Sequence, residues 1–144
     1  MKLSTRTRYG VRAMLELALN YEKGPIQLQL IADRQEISKK YLEQLITILK
    51  AAGFVKSVRG AKGGYELAKP PDAIKLSDCF NSLEGPVITV ECIEDEKICA
   101  RISDCIIRQV WIQVNDAVEH VLASITLQDL VNAAKKKDSL NYQI

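Results

Sequence analysis

The chain has 144 residues, of which 47% are hydrophobic and 26% charged, with few glycines and prolines. This length predicts one compact domain, with room for an appendage, and this composition excludes a disordered chain. The first residues, MKLSTRTRYG, contain no apolar run, and no stretch approaches the roughly 18 apolar residues of a membrane span. We therefore expect a cytoplasmic protein that is neither secreted nor bound to a membrane.

The small net charge of +2 conceals an uneven distribution. Residues 1–70 contain 13 Lys and Arg against 6 Asp and Glu, a net charge of +7, whereas residues 71–144 contain 7 against 12, a net charge of −5. The basic half predicts a surface for a polyanion, and the acidic half predicts a different partner. We expect a division into 1–70 and 71–144.

Three helices are predicted in the basic half. Apolar residues recur at helical spacing from Thr5 to Tyr21, and Gly24 and Pro25 then stop the helix. Shorter helices are predicted over 27–35 and 38–53.

The third predicted helix has one apolar and one polar face. Ser38 is its predicted N-cap and Gly53 its C-terminal stop. Its buried stripe is predicted to be Leu42, Leu45, Ile46 and Leu49. Its polar face is predicted to carry Lys40, Glu43, Gln44 and Thr47. Two short helices in close succession, the second with an exposed polar face, indicate a helix-turn-helix.

A β-hairpin is predicted next, with strands over 54–58 and 64–68 and a turn, RGAKGG, that exposes Arg59 and Lys62. We therefore expect a mainly α fold, a winged helix-turn-helix with a small β-hairpin wing. Its third helix could enter a major groove, and Arg59 could reach a phosphate or a narrow minor groove. A helix-turn-helix also occurs in protein-interaction modules, but the local charge of +7 favours DNA.

Several motifs in this order resemble the Rrf2 family of bacterial transcription regulators: LSTRTRYGVRAMLELAL, ISKKYLEQL, GFVKSVRGAKGGYEL, LEGP and SITLQDLV. The resemblance covers nearly the whole chain. The family includes iron–sulfur cluster regulators, to which the chain is most similar, and regulators of cysteine metabolism. The resemblance implies a homodimer that binds double-stranded DNA at a pseudo-palindromic operator.

The resemblance also implies DNA-contacting residues on or beside the third helix: Ser38, Lys40, Tyr41, Glu43 and Gln44. Arg59 of the wing would enter the minor groove. Glu43 suits this role because a carboxylate can accept a hydrogen bond from the N4 amino group of cytosine. The chain departs from the family at Glu36, where many members have Gly in the helix-turn-helix turn. Because Glu does not easily hold a positive φ, we expect a slightly different turn here.

The acidic half is predicted to begin with a short helix over 74–86, after a stiff break at 68–72. Cys79 shares the apolar face of this helix, so it is expected to be a buried, inert thiol. A loop is predicted over 86–102, because charged residues are frequent there and no period is sustained.

A long helix is predicted from about Ser103, with an apolar sector of roughly 160°. That width exceeds what one packed face needs, so part of the sector could contact the winged helix and part a second copy of the chain. The family uses this helix for homodimerisation. The alternative is a helix fully buried within a monomer.

Three cysteines, Cys92, Cys99 and Cys105, lie within 14 residues at a C-x6-C-x5-C spacing. Zinc sites favour closer cysteine pairs, and Cys105 lies about 100° outside the apolar sector. The three thiols are therefore candidate soft ligands for iron. The resemblance implies that they bind an iron–sulfur cluster, [2Fe-2S] in type.

The fourth ligand of such a cluster is left open: it could be a carboxylate from the loop or the N-terminal region, a backbone group, water or a small thiol. The best-known cluster regulators have a His three residues after the last Cys, where this chain has Arg108. Others use an acidic residue near the start of the first helix, where this chain has Arg8. An Arg has no free acceptor to ligate a metal, and His120 is expected to be a solvated surface residue.

The sequence therefore predicts a homodimeric transcription regulator, such as a repressor, that senses iron–sulfur cluster or redox status. The alternative is a cluster-free regulator of cysteine or sulfur metabolism, controlled by a partner protein or by direct thiol oxidation. The LEGP motif with its acidic loop also resembles that branch, and a partner from cluster assembly or sulfur metabolism is possible. An enzyme is not expected, because the chain lacks a CxxC pair, a Cys–His pair and a phosphate-binding glycine loop.

Overall fold

A computed structural model describes residues 2–142 of the chain as a helical protein with one β-hairpin. The helices of this part are α1 (Thr5–Leu19), α2 (Leu28–Gln35), α3 (Lys39–Ala51), α4 (Leu76–Leu83), α5 (Glu91–Glu94), α6 (Ile106–Ser124) and α7 (Leu127–Tyr142). The hairpin strands are β1 (Val55–Val58) and β2 (Gly64–Leu67), and a 3-10 turn spans Pro71–Ala73. In this described part, no helix has the length and apolar character needed to cross a membrane.

The helix-turn-helix forms from α2 and α3, and α1 packs against both. The Ser38 hydroxyl accepts a hydrogen bond from the Tyr41 N–H at 3.1 Å, so the predicted N-cap of α3 is confirmed. The four predicted stripe residues of α3 are all buried in the core. Gly53 has φ +85° directly after the α3 C-cap, as expected of a residue that stops a helix.

The turn between α2 and α3 contradicts the expectation at Glu36. Glu36 lies in the left-handed region with φ 55° and ψ 44°, the conformation in which Gly is usual. The turn is closed by hydrogen bonds from the N–H of Glu36 to the carbonyl of Asp33 and from the N–H of Ile37 to that of Ala32. The surrounding helices therefore impose the left-handed turn, at a cost of roughly 1–2 kcal/mol.

The wing hairpin is antiparallel, with Val55 opposite Leu67 and both side chains buried. Ile26 and Tyr65 exchange two backbone hydrogen bonds of 2.9 Å, which attach β2 to the connection between α1 and α2. A Cβ on Gly64 would lie 2.4 Å from the carbonyl oxygen of Ile26, so this close approach requires Gly.

The acidic half returns to pack against α1. A Cβ on Gly10 of α1 would lie 2.4 Å from a methyl group of Leu83, so α4 approaches α1 closely at this point. Cys79 is fully buried, and desolvation, followed by the nearby charge of Asp78, raises its pKa to about 12. The prediction of a buried, inert thiol is consistent with this position.

Two features of the acidic half differ from the predicted elements. The segment predicted as a loop over 86–102 contains the helical turn α5, and the long helix ends at Ser124. The chain then forms α7, which was not predicted. A capping box forms at its start: the Thr126 N–H donates to the Asp129 carboxylate, and the Asp129 N–H donates to the Thr126 hydroxyl. The predicted division at residue 70 stays a prediction.

Candidate nucleic-acid interface and cysteine segment

The predicted DNA-contacting residues of the helix-turn-helix cluster at the N-terminal half of α3. Ser38, Lys40, Glu43 and Gln44 are exposed, and Tyr41 is half-buried. Because the buried stripe of α3 fixes its rotation, these side chains point away from the core. A cleft of about 500 Å³ separates α3 from the first turn of α1, and its walls include Arg6, Tyr41 and Gln44.

The wing presents Arg59 and Lys62 in an exposed turn. The N–H of Gly63 donates to the carbonyl of Gly60 at 3.0 Å, and Gly60 has φ +115°. Within residues 2–142, none of the ion pairs involves Arg59, Lys62 or Lys40. These cations are therefore available for phosphate groups without first breaking a salt bridge.

The cysteine segment, residues 86–105, connects α4 to α6 and is fixed to α6 at two points. Asn115 is a buried residue of α6, and its side-chain oxygen accepts a hydrogen bond from the Thr89 N–H at 3.0 Å. Arg108 donates to the carbonyl of Cys92 from Nε and Nη2, at 3.4 Å each, and lies 3.9 Å from the Glu96 carboxylate. Side chains of α6 thus hold the cysteine segment against that helix.

The predicted ligands do not assemble into a metal site. Cys92 and Cys105 are half-buried and Cys99 is exposed, and Cys105 is the N-cap residue of α6. In the part of the chain that the structure describes, no three His, Cys, Asp or Glu side chains lie close enough to hold a metal ion. Arg108, at the position of the expected His, is a permanent cation with donors only. The residues in this arrangement therefore do not fit an iron–sulfur cluster.

The two residues that the sequence had already set aside as fourth ligands do not complete a site either. His120 is exposed on α6, as expected, and Arg8 is exposed on α1. Neither belongs to a group that could hold a metal among residues 2–142.

The outer face of α6 is apolar and exposed. Six large side chains recur there at helical spacing and retain between 38% and 86% of their accessible surface: Ile106, Ile107, Val110, Trp111, Val114 and Val121. A contiguous apolar face of this kind marks an interaction surface. The opposite face packs on α4 and α5 and contains the buried Asn115.

Glu84 was not singled out from the sequence but links the two halves. Its carboxylate accepts hydrogen bonds from the hydroxyls of Ser4 and Thr7, at the start of α1. These two donors, Ser4 first, lower the pKa of Glu84 below its ordinary value of 4.5. No local pattern could have indicated this contact, because Glu84 lies 80 residues after Ser4 in the chain.

Comparison with known proteins gives a consistent result. Residues 3–133 match the family model described as Rrf2, an iron-dependent transcriptional regulator. The chain is 47% identical over 132 residues to the HTH-type transcriptional regulator CymR of Bacillus subtilis, covering 92% of this chain and 91% of CymR. It is 39% identical over 132 residues to the HTH-type transcriptional regulator IscR of Escherichia coli, covering 92% and 81%. These relatives are transcriptional regulators and not enzymes, as expected.

Two solved structures have the same fold. CymR (YrzC), the global cysteine regulator of B. subtilis, superposes with a TM-score of 0.79 at 46% identity, covering 92% of this chain and 98% of that structure. T. potens IscR superposes with a TM-score of 0.79 at 42% identity, covering 95% and 90%. The predicted mainly α, winged helix-turn-helix fold is confirmed.

Proposed function

The chain belongs to the Rrf2 family of transcriptional regulators, as the motifs predicted, and from that membership we propose a homodimeric, cytoplasmic regulator of cysteine or sulfur metabolism that works without a resident iron–sulfur cluster. The observation that carries the cluster-free part is the position of Arg108. Its guanidinium donates to the Cys92 carbonyl and offers no ligand atom at the sequence position where the best-known cluster regulators have His.

DNA recognition would use the exposed face of α3 and the wing. Glu43 can accept from a cytosine N4 amino group in the major groove, while Lys40 contacts phosphate. Arg59 and Lys62 would reach the backbone or a narrow minor groove beside it. Two such surfaces about 34 Å apart on one face of the duplex require a dimer.

The dimer would form through the apolar face of α6. Val114 lies near its centre, flanked at helical spacing by Val110 and Val121, and all three are exposed in a single chain. A second copy would cover these side chains with the same face, which gives a closed two-fold pair. That pair would present both α3 helices to the two halves of a pseudo-palindrome.

The signal would enter through the cysteine segment by direct thiol oxidation. Cys99 is the exposed thiol of the three, and a peroxide can convert its thiolate to a sulfenic acid with release of hydroxide. A neighbouring thiol would then displace water from the sulfenic acid to give a disulfide. Either the sulfenic acid or the disulfide would change the conformation of the cysteine segment, which Arg108 and Asn115 hold against α6.

The test measures operator affinity by fluorescence anisotropy, with a duplex that the protein itself enriches from a random-sequence pool. We expect wild-type affinity to change on peroxide treatment and recover with dithiothreitol, and Cys99→Ser to lose this response. Cys79→Ala, which removes the buried thiol, is the matched control and should respond as wild type. A response that persists in Cys99→Ser contradicts the role of Cys99, and a wild-type affinity that does not change with peroxide contradicts thiol control and leaves control by a partner protein.

The second candidate is the cluster sensor, which is favoured by three thiols outside the core and by the similarity to IscR. Anaerobic purification with a visible spectrum and assays of iron and acid-labile sulfide separates the two. A protein that stays colourless after reconstitution supports the cluster-free regulator. A brown protein with stoichiometric iron and sulfide, lost in Cys92→Ala, overturns it.

A further inference from the structure

One polar face of α1 is directed at the helix-turn-helix. Tyr9, Arg12 and Glu16 recur at i, i+3 and i+7, so they share a face of the helix. The buried residues of the same helix, such as Met14 and Leu17, lie on its other side. Arg12 and Glu16 therefore serve contacts outside the apolar core, and the Tyr9 ring packs against the edge of that core.

Arg12 and Glu16 hold the end of α2, directly before the left-handed Glu36. The Arg12 Nε donates to the side-chain oxygen of Gln35 at 2.6 Å. Glu16 accepts from the Gln35 side-chain amide at 2.7 Å and forms an ion pair with Arg34 at 3.2 Å. Arg12 is therefore engaged within the fold.

Tyr9 connects this network to α3. The guanidinium carbon of Arg12 lies 5.3 Å from the centroid of the Tyr9 ring, a cation–π distance. The Tyr9 ring meets the Tyr41 ring edge-on, with centroids 6.4 Å apart and planes at 90°. Tyr41 lies in the first turn of α3, and its own backbone N–H is held by Ser38. Tyr41 is thus held at two points: its backbone N–H by the Ser38 cap and its ring by Tyr9.

We propose that Tyr9 is a positioning residue for DNA recognition, which acts by holding the ring of Tyr41 at the DNA-facing start of α3, with Arg12 holding Tyr9 in turn. The inference rests on the proposed DNA-binding role of α3. Tyr9 itself needs no contact with DNA, because its ring is used on Arg12 and Tyr41.

The test is a double-mutant cycle on operator affinity, with the same enriched duplex as probe. Tyr9→Leu should weaken binding about 3- to 10-fold, the usual range for loss of an aromatic pair. Tyr9→Phe keeps the ring and should bind as wild type. In a Tyr41→Ala background, Tyr9→Leu should have little further effect, because the residue it positions is already absent.

The salt dependence distinguishes positioning from direct contact. Loss of a phosphate contact lowers the slope of log affinity against log salt by about 1. Tyr9→Leu should leave the slope unchanged, and circular dichroism should show an unchanged helix content. If the effects of Tyr9→Leu and Tyr41→Ala add in full, or Tyr9→Leu binds as wild type, the positioning role is overturned while the proposed function stands. A wild-type protein without sequence-specific binding overturns both.

Discussion

Replacing Glu36 by Gly should stabilise the protein. A side chain in the left-handed conformation costs roughly 1–2 kcal/mol, and Glu36 has φ 55° and ψ 44°. Gly relieves that cost, but a Gly residue loses more conformational entropy on folding than Glu does, which costs about 0.5–1 kcal/mol of stability. The difference predicts a gain of about 0.5–1 kcal/mol in the free energy of unfolding, even though Glu36 is exposed and the substitution removes no packed side chain.

The gain is measured by urea denaturation at one fixed protein concentration, because a dimer has a concentration-dependent midpoint. Glu36→Ala keeps a Cβ in the left-handed region and should be close to neutral. Glu43→Gly is the matched control, since Glu43 is also exposed but lies inside α3, and it should lose about 0.5–1 kcal/mol. In thermal denaturation the Glu36→Gly gain corresponds to a rise of about 1–4 °C in Tm.

The refuting result is a Glu36→Gly midpoint that falls as far as that of Glu43→Gly. Such a fall would mean that Glu36 holds a helical or extended conformation, and that the turn differs from the one described. Operator affinity should be unchanged in Glu36→Gly, because the path of the backbone between α2 and α3 stays the same.

Three further outcomes follow from the structure. Arg59→Ala should weaken operator binding and lower the salt slope by about 1, whereas Lys97→Ala in the acidic segment should do neither. Because the pKa of Glu84 is lowered in the folded protein, the ionised carboxylate stabilises the fold fully above pH 4.5, and this stabilisation is lost as the pH falls through the lowered pKa. The denaturation midpoints of wild type and Glu84→Gln should therefore converge in acid. A thiol reagent should titrate three cysteines in the folded protein and Cys79 only after unfolding, because burial raises the pKa of Cys79 to about 12; four fast thiols would contradict its burial.

The elements of the DNA-binding half could be predicted because their signals are local. The stripe of α3 repeats within ten residues, and Ser38 caps a helix that starts at the next position. The wing could be predicted because its strands are joined by one short turn. In each case the residues that determine the conformation are neighbours in the sequence.

The end of α6 depends on residues far away in the chain. Ile125 accepts a hydrogen bond from the Leu76 N–H at 2.8 Å, and the Leu127 N–H donates to the carbonyl of Ile74 at 2.9 Å. This exchange with the start of α4 marks the end of the long helix, whose end the apolar pattern did not predict. The capping box formed by Thr126 and Asp129 was the local sequence pattern that could have predicted the start of α7.

The cysteines could be identified from the sequence, but their arrangement could not. The segment has no period, so its path is set by contacts with α6 through Asn115 and Arg108. The glutamate at 84 and the tyrosine at 9 were missed for the same reason, since each acts on a residue more than 30 positions away.

The chemistry of residue 108 favours the cluster-free proposal, whereas the fold favours neither candidate function. The TM-score is 0.79 with both the CymR and the IscR structure, so similarity of fold favours neither. A neutral His at this position would offer a nitrogen lone pair to a metal, whereas the guanidinium of Arg108 offers only N–H donors. The guanidinium uses these donors on the Cys92 carbonyl and lies beside the Glu96 carboxylate, so it connects the cysteine segment to α6. The cluster-free function is proposed because residue 108 offers no ligand atom and because, in the part of the chain that the structure describes, no three potential ligands lie together.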